Sequence, residues 1–103
     1  MLIKFNNAYL KKIYTNEQLK GKPIYGIEIV KQFKKTVLKL ELSDNTTQLR
    51  QFKGLNFEAL KGDKKGLFSV RVNKQYRIEF EIENDTITLS EIILIEGLSK
   101  HYE

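Results

Sequence analysis

Hydrophobic and polar positions along the chain change period once, near Asn56. Before that point the pattern is helical; after it, apolar and polar residues alternate. Leu2-Ile3-Lys4-Phe5 is short and apolar and predicts a strand. Asn6-Asn7 offers an N-cap for a helix over Ala8–Tyr14, and Gly21-Lys22-Pro23 then breaks the pattern. Over residues 24–42, Ile27, Val30, Phe33, Val37 and Leu40 recur at spacings of 3 and 4 and make one apolar stripe. Lys31, Lys35 and Lys39 recur every four residues on another face. Ser43-Asp44-Asn45 ends this helix and can cap a shorter one over residues 46–52, which Gly54 stops.

Beyond Asn56 the period is two. Phe68, Val70 and Val72, then Tyr76, Ile78, Phe80 and Ile82, alternate with polar residues, which predicts strands over residues 66–72 and 75–83. Asn84-Asp85 marks the next turn and leads into a third strand over residues 86–96. Its run Ile92-Ile93-Leu94-Ile95 is apolar on both faces, as suits a central strand. Helices first and a meander of strands afterwards predict an α+β fold, an antiparallel β-sheet with the N-terminal helices packed on one face. The long helix is expected to bury Ile27, Val30, Phe33 and Val37 against Phe68, Val70, Ile78 and Phe80.

Placing Lys74 at the centre of the first turn pairs Val72 with Tyr76, Val70 with Ile78 and Phe68 with Phe80. Apolar residues match in every row, which supports this register. The same register sets Arg71 opposite Arg77 on the other face. Like charges directly opposed across strands are destabilising. Two readings account for the pair: an Arg/Glu surface ladder with Glu79 compensating on the diagonal from Arg71, or a phosphate site, since guanidinium groups match phosphate oxygens in a two-toothed way.

Composition narrows the chemistry. A chain of 103 residues is enough for one domain, residues 1–103, and too few for two. There is no cysteine and one histidine, so neither a disulfide framework nor a structural zinc site is expected. No apolar run approaches the roughly 18–20 residues of a membrane span, and no signal-peptide pattern opens the sequence. The expectation is an intracellular, soluble domain without a metal or other cofactor. Its net charge of +5 is unevenly spread: residues 1–65 carry 14 bases against 6 acids, residues 66–103 carry 4 against 7. That asymmetry suits a basic face for nucleic acid or an acidic partner, or simply a solvated lysine-rich helix.

Two further segments bear candidate chemistry. Residues 57–66 carry Glu58 and Lys61, then Lys64 and Lys65 between Gly62 and Gly66, but not the spacing or Gly-Lys-Ser/Thr ending of a P-loop. Alone they read as a turn with solvated lysines. The sequence ends in His101-Tyr102-Glu103. A histidine there is either an exposed residue without a role or a group able to exchange a proton near neutral pH, and a tyrosine beside it is able to stack on a base.

Together these segments resemble the RelE/ParE toxin superfamily, in particular its HigB-type, "plasmid maintenance killer" branch. The resemblance is carried by Leu60-Lys61-Gly62-Asp63, by Gly66-Leu67-Phe68-Ser69-Val70-Arg71-Val72-Asn73, and by Tyr76-Arg77-Ile78-Glu79-Phe80. Residues 1–56 agree in layout without a sharp motif. One departure stands out: where the HigB branch often has His-Pro before Leu-Lys-Gly-Asp, this chain has Glu58-Ala59. A glutamate three residues before the lysine, and a His-Tyr ending, are similar to the YoeB-like branch.

The resemblance implies the RelE-like microbial ribonuclease toxin fold and a type II toxin that cuts mRNA on the 70S ribosome, in the cytoplasm. It also implies an adjacent antitoxin, HigA-like and carrying a helix-turn-helix, that silences the toxin and reaches operator DNA only as the complex. RNA can be cut with its own 2′-OH as nucleophile, given a base, an acid for the departing 5′-oxygen and cations for the phosphate. By resemblance Glu58 is the base, His101 the acid and Arg77 the main phosphate ligand. Lys61 and Arg71 are secondary cations, and Tyr102 stacks on or orients a nucleotide. Two other classes remain open: a non-catalytic, ParE-like binder of a protein such as DNA gyrase, and a nuclease-inactive regulator that binds the antitoxin.

Overall fold

The computed structural model describes residues 1–100; His101 and Tyr102, two of the site residues expected from the sequence, lie outside them. Strand β1 (Leu2–Phe5) leads into helix α1 (Ala8–Tyr14), which begins where expected because the Asn7 side chain accepts a hydrogen bond from the Leu10 N–H at 3.1 Å. Helix α2 (Ile27–Leu42) starts three residues later than the apolar pattern suggests. Gly26 is extended, with φ −66° and ψ 159°, and its carbonyl takes the first helical bond from Val30 at 3.0 Å. Asn45 caps helix α3 (Thr46–Leu49) by accepting from Gln48 N–H at 2.9 Å. This helix ends before residues 50–52, and a single 3-10 turn over Lys53–Leu55 follows.

Four more strands complete the sheet: β2 (Glu58–Ala59), β3 (Phe68–Arg71), β4 (Tyr76–Asn84) and β5 (Glu91–Lys100). A 3-10 turn over Gly62–Lys64 joins β2 to β3. The strand order is β1-β5-β4-β3-β2. Strands β3 to β5 form the expected antiparallel meander, β2 adds an unexpected antiparallel edge beside β3, and β1 pairs in parallel with β5, so the five-stranded sheet is mixed. The α+β class stands. Among the described residues no helix is long and apolar enough to cross a membrane.

Helices α1 and α2 cover one face. Phe33, Val37 and Leu40 are buried with Leu10 and Ile13 against Val70, Ile78, Phe80, Ile93, Ile95 and Leu98. Burying side chains of this size contributes about 1.5–3 kcal/mol each. Ile27 corrects the expected packing: it is 71% exposed. It opens α2 six residues before Phe33, about 9 Å up the helix axis and beyond the buried turns. Val30 and Phe68 are only partly buried at the edge of the core.

The third strand is also displaced from its expected place. Residues 86–90 form the loop between β4 and β5, and Ile87 and Leu89 are 91% and 86% exposed. Asp85 holds this loop: its carboxylate accepts from Ile87 N–H at 2.9 Å and Thr88 N–H at 3.2 Å, and its carbonyl accepts from Leu89 N–H at 2.8 Å. Strand β5 then runs on to Lys100, paired with Tyr76. It lies between β1 and β4, as a central strand should, with Ile92 and Ile93 buried on opposite faces. The register shifts between Glu79–Gly97 and Phe80–Ile95, leaving Glu96 as an extra residue. That bulge lets both Ile95 and Leu98 enter the core, three residues apart, and turns Ser99 to the opposite face.

Candidate active site on the polar face of the sheet

Alternation along β3 and β4 sends Val70, Ile78 and Phe80 to the helices and Ser69, Arg71, Arg77 and Glu79 to the other face. The observed pairs are Phe68–Phe80, Ser69–Glu79, Val70–Ile78 and Arg71–Arg77, the register expected from the apolar rows. Asn73 fixes the turn that sets it. Its side-chain oxygen accepts from the N–H groups of Gln75 and Tyr76, both at 2.8 Å, and its amide donates to Gln32 of α2 at 2.7 Å.

Strand β2 was expected as a turn with solvated lysines. It is instead pinned to the sheet by Phe57. That ring stacks on Phe80 with centroids 6.0 Å apart and on Phe68 at 5.7 Å, and the Arg50 guanidinium lies 4.8 Å from its centroid. With Phe57 directed to the core, Glu58 is directed to the polar face, opposite Ser69. Two rows result. One runs Glu58–Ser69–Glu79 across β2, β3 and β4; the next runs Arg71–Arg77–Ser99 across β3, β4 and β5.

A polar hollow opens over these rows, lined by Asn56, Glu58, Ser69, Arg71, Asn73, Tyr76 and Arg77. Glu58 and Arg71 are exposed, and the Arg77 side chain is mostly covered, at 19% exposure. Glu79 lies deeper, at 8% side-chain exposure. It accepts from Lys64 Nζ at 2.9 and 2.7 Å, from Arg77 Nε at 3.0 Å and from Ser99 Oγ at 3.0 Å. Burial alone would push its carboxyl up. The hydrogen bonds from Lys64 and Ser99 and the charges of Lys64 and Arg77 outweigh burial and hold it below the usual carboxylate value.

Of the residues singled out from the sequence, the fold brings Glu58, Arg71 and Arg77 around one hollow. Lys61 is exposed beside the Gly62–Lys64 turn and does not line it. His101 and Tyr102 follow β5 directly in sequence. The opposed arginines are compensated by Glu79, but through Arg77 rather than across the diagonal to Arg71. Among the described residues the Arg71 side chain has no hydrogen bond or ion pair. Sequence reasoning overlooked Lys64, Ser99, Asn73 and Tyr76 as neighbours of this site. An Asn at the hairpin turn was a readable signal; the position of Ser99 depends on the bulge at Glu96 and had none.

The sheet thus carries helices on one face and a guanidinium pair with a carboxylate on the other. Residues 3–91 match the model of the HigB-like toxins, described as RelE-like toxins of the type II toxin–antitoxin system HigB. The match spans most of the chain, and the protein belongs to that family. A YoeB/ParE toxin from Agrobacterium tumefaciens superimposes with a TM-score of 0.54 at 13% identity, over 99% of this chain and 100% of its own. YafQ from E. coli strain BL21(DE3) gives 0.54 at 10% identity, over 96% and 91%. At such identities the likeness is one of fold. No curated protein matches the sequence.

Proposed function

We propose that this toxin is an endoribonuclease that cuts mRNA engaged on the ribosome and so arrests translation. The observation that supports it is the juxtaposition of Arg71, Arg77 and Glu58 around one polar hollow. Two guanidinium groups on adjacent strands give a pair of planar, permanently charged donors for a phosphodiester. Glu58 sits one strand away as a base for the 2′-OH. In the reaction the 2′-oxygen bonds to phosphorus as its proton passes to Glu58, and the P–O5′ bond breaks. Negative charge that builds on the phosphate oxygens is met by Arg77, assisted by Arg71. The departing 5′-oxygen takes a proton from His101; Tyr102 stacks on the flanking nucleotide, and Lys61 adds a peripheral cation. Every step uses side chains and the RNA's own hydroxyl.

The excess of bases in residues 1–65 suits a ribosomal, RNA-rich partner. The proposal carries a cytoplasmic location and a cognate antitoxin of opposite charge, HigA-like, through which the toxin meets operator DNA. The test is a translating extract with purified toxin, with mRNA 5′ ends mapped. Wild type should cut at in-frame, translated positions only; Arg77→Ala and His101→Gln, folded, should not cut. Wild-type cleavage by both variants rejects this site. Growth arrest by wild type without any mRNA cleavage moves a protein-binding mode, such as one on DNA gyrase, ahead of the nuclease.

A further inference from the structure

Glu79 takes no part in the chemistry above, yet its carboxylate bonds three side chains beside the hollow. One of its oxygens, Oε2, accepts from Lys64 at 2.7 Å, from Arg77 Nε at 3.0 Å and from Ser99 Oγ at 3.0 Å, and it makes an ion pair with Arg77 Nη2 at 3.0 Å. The other, Oε1, takes a second bond from Lys64 at 2.9 Å. Such a carboxylate, 8% exposed and flanked across β3 by the buried Ser69, does not swing out to solvent without losing all of these partners.

We propose that Glu79 is a positioning residue of this site: it engages the Nε–Nη2 edge of Arg77, fixes that guanidinium in the row with Arg71, and ties the Gly62–Lys64 turn to the sheet through Lys64. The inference rests on the ribonuclease reading for its consequence and on the fold alone for its geometry. Two features of the site favour it over a role in folding only. The bonds are made to the edge that sets the plane of the guanidinium, and an arginine held in plane presents its charge without first ordering a long side chain. The charge of Glu79 is also of the wrong sign for a phosphate site. A carboxylate beside Arg77 weakens the attraction of an anion, so its contribution to phosphate recognition is one of geometry.

That sign makes the proposal separable by experiment. Glu79→Gln keeps the shape and removes the charge. If Glu79 acts through charge alone, the variant binds programmed ribosomes at least as tightly and cuts at least as fast as wild type. If it positions Arg77, the rate at saturating ribosomes falls about 10- to 100-fold while the half-saturating concentration stays the same or drops. The second readout is the Nε–Hε resonance of Arg77 by NMR. In wild type its hydrogen should exchange at least about tenfold more slowly than that of Arg71, whose side chain has no partner among the described residues, because exchange requires the hydrogen bond to open. In Glu79→Gln, whose single neutral oxygen is a weaker acceptor and cannot serve Lys64, Arg77 and Ser99 together, that protection should fall severalfold.

Equal exchange at Arg71 and Arg77 in the wild-type protein overturns the proposal, even where the variant does not fold. So does a folded Glu79→Gln protein with the wild-type saturated rate. Should wild type prove unable to cut mRNA, a titration with inorganic phosphate takes the place of the cleavage arm. Joint shifts of the Arg71 and Arg77 signals in wild type, uncoupled in Glu79→Gln, then support positioning; identical joint shifts in both proteins reject it.

Discussion

Strands β3 and β4 hold two chemistries back to back. Val70, Ile78 and Phe80 are buried beneath α2, and their attraction to Phe33, Val37 and Leu40 is non-directional. On the reverse side Arg71, Arg77, Glu79 and Ser99 depend on which donor meets which acceptor. The apolar face tolerates small changes of shape and answers to volume. The polar face answers to the position of single atoms, because an unmatched charge there is costly while a matched one adds little net stability. The same backbone register serves both faces, so fixing the first positions the second.

The sharpest way to break this comparison is to damage each face in turn. Phe33→Ala opens a cavity in the fully buried layer and should cost about 3–5 kcal/mol, a large part of the stability of a domain this size. Molecules that remain folded in the cold should still cut RNA. Arg77→Ala should do the reverse. It removes one partner of Glu79, which keeps Lys64 and Ser99, so the loss of stability should be about 1–3 kcal/mol, and cleavage should disappear. Thermal melts beside single-turnover cleavage read both quantities. An Arg77→Ala protein that loses stability and keeps its cleavage rate would mean that the two faces are not divided in this way.

Glu58→Gln tests the polar face with almost no structural cost, because Glu58 is exposed and its strand is held by the Phe57 stack. Cleavage should fall on the order of 10²- to 10⁴-fold, as for loss of a general base, with the melting temperature within a degree or two. Cleavage at the wild-type rate would remove Glu58 from the reaction and leave the arginine pair standing.

The two faces also differed in how far the sequence revealed them. Rows such as Phe68–Phe80 and Val70–Ile78 were readable because an apolar match in every row admits one register. That register carried Arg71 opposite Arg77 with it. What followed from longer-range geometry was hidden. The alternation of Ile87 and Leu89 imitates a strand, but the Asp85 hydrogen bonds close a wider loop and leave both residues in solvent. Two residues of β2 are too few to show a period, and their anchor, Phe57, shows itself only once the sheet is assembled. The partner of β1 depends on the chain's return after three helices, which local patterning does not encode. Lys64 and Lys61 look alike in the sequence; only the fold shows that Lys64 is the one that reaches Glu79.

Acid separates the faces by a different route. Glu79 is held below its ordinary carboxylate value of 4.5 in the folded protein. A depressed folded value means that its contribution to stability is present above the unfolded value and is lost as pH falls through the folded one. Wild-type melting should therefore hold steady from pH 7 to about pH 5 and decline below that. Glu79→Gln should show a shallower decline over the same window, from a lower starting stability. A decline of the same steepness in both proteins would assign the acid limb to other carboxylates.

The smallest effect belongs to the helical side, at alkaline pH. The Tyr14 hydroxyl donates to Glu41 Oε1 at 2.7 Å, between α1 and α2. Burial, then that hydrogen bond and the charge of Glu41, push the phenol up from 10.0 to about 12. Here the folded value is the raised one, so the contribution is fully present below the unfolded value near 10 and is lost as pH rises to about 12. Tyr14 is partly exposed, so Tyr14→Phe at neutral pH should cost only about 0.5 kcal/mol. Its melting temperature should fall less steeply than that of wild type between pH 10 and 12. Cleavage at neutral pH should not change, since Tyr14 packs against Phe5 at a ring distance of 5.7 Å on the covered side of the sheet and touches nothing in the hollow. Parallel alkaline limbs for the two proteins would show that the Tyr14–Glu41 bond does not survive in solution. A change in cleavage would show that the helices and the polar face are coupled through the sheet.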